Sequence, residues 1–205
     1  IKEAHDASIM FLIQQAELRS KELKKSEVSD WKDLVKNADE APNQNVAIEI
    51  QAYASPDGGV KLNTGLAERR EKNTDKYLAK ELKKMKVDVP VDAKYTAQDW
   101  EGFQELVSKS NIQDKDLVLR VLSMYSDPEQ RENEIKNISS VFSTLAEEIL
   151  PQLRRSRLVA NIEIIGKSDD EITALAKNDP KALNIEEILY AATLTNDNAE
   201  KTRIY

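Results

Sequence analysis

From Val46 to Tyr53 the apolar residues Val46, Ile48, Ile50 and Ala52 alternate with Ala47, Glu49, Gln51 and Tyr53. Successive side chains of a strand point to opposite faces, so this stretch predicts a strand with one buried face. The same period recurs at Val87, Val89, Val91, Ala93 and Tyr95, where Pro90 favours the beginning of a strand or a sheet edge. Between the two lies a helical stretch over residues 66–85. Its arc holds Ala67, Thr74, Leu78, Leu82 and Met85, with Asn63 or Thr64 as the expected cap. At 100° per residue Arg70 falls beside that arc, near Tyr77, and Arg69 projects toward solvent.

The mostly apolar residues 7–13 predict a strand, and residues 22–38 predict a helix carrying Leu23, Val28, Trp31, Leu34 and Val35, which makes the order βαβαβ. A closing strand is expected at Leu158, Ala160, Ile162 and Ile164, ending at Gly166. The fold class is therefore α+β, with about four strands and helices on one face. Before the closing strand, residues 99–150 read as three helical segments, the first opened by Thr96-x-x-Asp99 and the third by Asp127-Pro128 with a break near Ser139 and Ser140. Pro151 is expected to stop the run. Residues 167–205 form a helical extension, with helix starts at Asp169 to Glu171 and, after Asn184, at Glu186 and Glu187, and the last helix is expected to run on past Tyr205.

The segment "YASPDGGVKLNTGLAERR" at Tyr53 to Arg70 links the first alternating strand to the helix and holds three of the chain's five glycines. It resembles the OmpA-like domain, the peptidoglycan-associating domain of the outer-membrane protein A family. That family's signature runs strand, small and acidic residues, Gly, Asn and "LSxRR", and Asn63, Leu66 and Arg70 fall on its marked positions. "IMFLIQQAELRSKEL" and "LRRSRLVANIEI" resemble the family's first strand with its turn and the segment before its last strand. The resemblance covers about residues 9–95 and 153–165. The inserted helices, opened by "DWEGF", resemble a variety of this domain found in Bacteroidota envelope proteins. The tail "LNIEEILYAATLTNDNAEKTRIY" is similar to the opening of a tetratricopeptide-like hairpin. Two domains follow: an OmpA-like domain over residues 1–166 and a helical extension over residues 167–205.

The resemblance implies that a loop carboxylate and the arginine at Arg70 clasp the zwitterionic end of the diaminopimelate in a peptidoglycan stem peptide. Such a ligand needs an acceptor for its ammonium and a forked donor for its carboxylate. The implied binding set is Ser55, Asp57, Asn63, Leu66, Arg70, Arg154 and Arg155. Ser55 stands where the family has its binding aspartate and Leu12 stands near a second polar position, so Asp57 is the candidate replacement acceptor. If Asp57 is instead a turn former, Arg70 is a structural arginine paired with a neighbouring carboxylate.

Several functions are disfavoured by composition. A net charge of −7 and a pI near 5.0 argue against nucleic acid as a partner. The absence of cysteine excludes disulfides and thiolate metal sites, and the lone histidine, His5, reads as a surface residue. No phosphate loop, cofactor motif or paired nucleophile and base is visible, so the expectation is a non-catalytic module without cofactor or metal. No apolar run is long enough to cross a bilayer. The resemblance implies a periplasmic, outer-membrane-associated protein of a Gram-negative bacterium that tethers a larger protein to peptidoglycan. The alternative is a scaffold contacting other envelope proteins, with the fold retained and stem-peptide binding lost.

Overall fold

In the computed structural model the described residues are 1–204, without the side chains of Ser139 and Ser140. Tyr205 and those two side chains, near which a helix end and a helix break were expected, lie outside them. The chain forms two compact units, one of residues 2–163 and one running from Ile164 onward together with Ile1.

The first unit is α+β and holds a mixed four-stranded sheet in the order β1-β4-β2-β3. Strand β1 (Lys2–Met10) pairs antiparallel with β4 (Arg155–Ile164), and β2 (Gln44–Tyr53) pairs parallel with β3 (Val91–Thr96). The alternation of β2 holds: Val46, Ile48, Ile50 and Ala52 are buried. Helices α2 (Ser26–Glu40) and α3 (Val60–Met85) pack on the sheet, α2 against β1 and β2, α3 against β2 and β3. Lys32 of α2 reaches Glu81 of α3 at 3.0 Å and ties the two helices together.

Four expectations are corrected. The first strand is not residues 7–13: β1 begins at Lys2 and ends at Met10, leaving Leu12 and Ile13 exposed in the loop beyond it. As an edge strand it carries polar residues on most of its length and buries only Ala7 and Ile9 fully, so its apolar signal is short. The helix of residues 22–38 is two pieces, α1 (Ser20–Leu23) and α2, separated at Lys24 and Lys25. Helix α3 starts at Val60 with Gly59 as N-cap, so neither Asn63 nor Thr64 caps it. Residues 87–89 precede β3 rather than belong to it, and Pro90 stands immediately before the strand.

Glu22 of α1 is buried, and its carboxylate accepts from Met10 N at 3.1 Å and from Lys25 Nζ at 2.5 Å. Burial pushes its pKa up, but the hydrogen bonds from Lys25 and Met10 and the charges of Lys25 and Arg19 outweigh it and hold the group below the ordinary glutamate value. The unfolded chain therefore takes up a proton here at higher pH than the folded one. The stability this carboxylate contributes is present above the unfolded value and drains away as pH falls through the lower folded value. Glu22→Gln is expected to cost about 1–3 kcal/mol at neutral pH and to flatten the acid side of the stability profile, measured by urea melts from neutral to acid.

Between β3 and β4 lies a helical insertion made of α4 (Trp100–Lys109), α5 (Lys115–Met124), α6 (Pro128–Asn137), α7 (Ser139–Thr144), a π-turn (Leu145–Ile149) and α8 (Leu150–Leu153). It has a core of its own built on Phe103, Val107, Val118, Leu122, Leu145 and Leu153. Asp127 caps α6 through Gln130 N at 2.9 Å with Pro128 in the first turn, as its sequence predicts. Pro151 does not stop the run. It has no N–H to donate, and its ring would crowd the carbonyl four residues back, so the preceding turn widens to π geometry and the chain continues to Leu153.

The second unit contains α9 (Asp169–Asn178), α10 (Ile185–Ala191) and α11 (Asn198–Ile204) around Ile172, Ala176, Leu183 and Ala191. Helices α9 and α10 each begin with a reciprocal capping box, Ser168 with Glu171 and Asn184 with Glu187, as their acidic first turns suggested.

Candidate functional site

The segment from Tyr53 to Arg70 joins the end of β2 to α3, and five parts of the chain meet around it. They are the loop after β1, the end of β2, the first turns of α3, the start of β4 and the start of α4. Gly58 takes φ 138°, a conformation that side chains rarely adopt, and this lets the loop turn back on Asn63. Asn63 is buried, and its Nδ2 donates to Ser55 O at 3.0 Å and to Gly58 O at 3.1 Å. It closes the loop from inside. Leu66, on the next turn, is buried against Ala16, Ala54 and Ala67.

Arg70 and Arg69 divide as helical geometry predicts, with Arg69 exposed and Arg70 fully buried. Arg70 Nε donates to Gln15 O (2.9 Å), Nη1 to Tyr53 O (2.9 Å) and Nη2 to Leu12 O (3.1 Å), so each nitrogen of the guanidinium holds a backbone carbonyl. The plane lies over the Phe11 ring at 4.9 Å. Burial, with the nearby charge of Arg154 adding, pushes its pKa down to about 10, still far above neutral, so the group remains a cation. Three residues on, Asn73 Nδ2 donates to Ala16 O at 2.8 Å. Arg70 and Asn73 together fasten the loop after β1 to α3.

Leu12 thus enters the site through its carbonyl and not its side chain. Ser55 is buried, and its hydroxyl donates to Asp57 Oδ1. Asp57 folds back onto Ser55, and there it meets Arg154, whose Nη2 lies 3.3 Å from Asp57 Oδ2. Both side chains of that pair are mostly covered, at 11% and 16% exposure. Arg155 turns to the other side of the strand, where Nη1 bonds Asp99 Oδ2 at 2.9 Å and the guanidinium stacks 4.2 Å from the Tyr53 ring.

The sequence places Asp99 three residues after Thr96, as the acidic end of a capping box that Thr96 begins. Asp99 is itself the N-cap of α4, accepting from Gly102 N at 3.0 Å, and its backbone N–H donates to Ala54 O at 3.1 Å. One buried residue therefore links the loop just after β2, the first residue of β4 and the insertion. Thr74 adds a second buried link, its hydroxyl bonding Arg70 O and Ser156 Oγ at 2.7 Å each. The Asp99 cap was readable in the Asp-Trp-Glu-Gly spacing, whereas its pairing with Arg155 joins residues 56 positions apart and left no local signal.

The predicted binding residues are brought together, but as partners of the protein itself. Among the described residues no group of three or more His, Asp or Glu is placed to hold a metal ion, and no helix is long and apolar enough to cross a membrane. A scan of the chain against protein-family models finds no match, and a search of the curated proteins finds none.

Proposed function

We propose that the chain is a non-catalytic module of a bacterial cell envelope that keeps the frame of an OmpA-like domain, has given up the stem-peptide site, and serves as a protein-interaction scaffold. The observation that carries this reading is the commitment of Arg70. A guanidinium with no exposed surface and a backbone carbonyl on each nitrogen is unsuited to clasp an incoming carboxylate without breaking the loop it holds. The inserted helices, with their own core, supply the surface that the site no longer does.

A second reading, the peptidoglycan tether, is favoured by the Asp57–Arg154 pair. A zwitterion that opened this pair would find an acceptor for its ammonium in Asp57 and a forked donor for its carboxylate in Arg154. Calorimetric titration with diaminopimelate and with a stem peptide separates the two. The scaffold reading expects no saturable heat for the unmodified chain. Saturable binding that disappears in both Asp57→Ala and Arg154→Ala would overturn it in favour of the tether.

A further inference from the structure

The two edges of the sheet are finished differently. At β1, the amides of Ser8 and Met10 donate to Glu27 Oε1 (2.9 Å) and Glu22 Oε2 (3.1 Å), and the Met10 carbonyl accepts from Arg19 Nη2 (3.2 Å). Side chains have closed the Ser8–Met10 end of that edge. At β3, Ile48 N donates to Pro90 O (2.8 Å) and Ala54 N to Thr96 O (3.1 Å), so in the parallel ladder the even-numbered residues face β2. Val91, Ala93 and Tyr95 therefore turn their N–H and C=O groups outward, and among the described residues nothing bonds them. Val91 and Tyr95 are 37% and 44% exposed.

Such an edge is a template for another strand. Its sequence, Val-Asp-Ala-Lys-Tyr from Val91 to Tyr95, is complementary to itself. When two copies run antiparallel about Ala93, Val91 lies opposite Tyr95, Asp92 opposite Lys94 and Ala93 opposite Ala93. That register gives two aliphatic–aromatic pairs and two opposite-charge pairs, and every outward N–H and C=O of the three residues finds a partner. Parallel in-register stacking would instead set Asp92 beside Asp92 and Lys94 beside Lys94.

We propose that β3 is a self-association edge, where a second copy of this chain pairs antiparallel about a two-fold axis at Ala93 and joins two four-stranded sheets into one. Val91 shares a groove of about 500 Å³ with Ala79, Leu82 and Val87, which places the odd-numbered residues of β3 on the α3 side of the sheet. Tyr95 of the second copy, opposite Val91, is set at the mouth of that groove. A two-fold pairing uses the β3 edge of both copies, and Glu22, Glu27 and Arg19 occupy the Ser8–Met10 end of the β1 edge, so the association closes as a dimer.

One strand pair and a groove contact are a small interface, so the expected dissociation constant is roughly 10–100 μM. The full chain is examined by sedimentation velocity on both sides of that range. Ala93→Pro removes an outward N–H and leaves the ladder to β2 whole, and it is expected to abolish the dimer. Asp92→Lys sets lysine against Lys94 at both pairs, and Lys94→Asp sets aspartate against Asp92, so each alone is expected to weaken association about tenfold or more. An equal mixture of these two variants makes both pairs opposite in charge and is expected to recover association. Lys94 also pairs with Glu49 in its own chain, so circular dichroism is taken for every variant to confirm its fold. A monomer throughout the range, a dimer indifferent to Ala93→Pro, or a mixture that regains nothing would overturn the proposal.

Discussion

Arg70→Ala is expected to lower the unfolding free energy by about 3–5 kcal/mol, a large part of what a domain of this kind has. The change takes the Arg70 donors from the carbonyls of Gln15 and Tyr53, leaves Leu12 O with only the amide of Gln15, and empties a space with no exposed surface beneath Phe11. Arg70→Lys is expected to recover little of the loss, because one ammonium at the end of a flexible stem cannot meet three carbonyls arranged around a planar fork. Urea melts followed by far-ultraviolet circular dichroism give the numbers. A ligand-clasping arginine on a surface would behave in the opposite way, with its loss leaving stability nearly unchanged.

Phe103→Ala is the second large effect, at about 3–5 kcal/mol. Phe103 is 1% exposed, stands edge-on to Trp100 with ring centroids 5.6 Å apart, and sits at the centre of the core that α4 to α8 build for themselves. The consequence is expected to be local, because the core between the sheet and its helices is made from other residues, among them Ile9, Ile50 and Leu158 of the sheet and Leu78 of α3. Hydrogen exchange followed by mass spectrometry is expected to show faster exchange across residues 100–153 while β2 and α3 stay protected. Equal loss of protection in both regions would mean that the insertion and the sheet form one cooperative core.

What the sequence makes legible follows from which interactions are local. The alternation of Val46, Ile48, Ile50 and Ala52 was readable because one face of β2 is buried throughout. The separation of Arg70 from Arg69 followed from helical phase alone. The start of α3 was hidden because its first turn, Val-Lys-Leu-Asn, is mostly exposed and Gly59 offers no side chain to cap it. Strand β3 looked half-buried by its valines, yet at the sheet edge Val91 and Tyr95 remain exposed. The partners of Arg70 were out of reach for a different reason. Two of its three carbonyls come from residues 55 and 58 positions away, and a carbonyl carries no side-chain signature by which it could be found.

The commitment of Arg70 is tested most directly by nuclear magnetic resonance of its side-chain Nε–H while diaminopimelate is added to millimolar excess. A proton held by Gln15 O on a side chain with no exposed surface is expected to exchange slowly and to keep its chemical shift at every ligand concentration. A saturable shift of that resonance, with the same midpoint as a calorimetric binding curve, would show that Arg70 releases the loop to hold ligand and would contradict the scaffold reading.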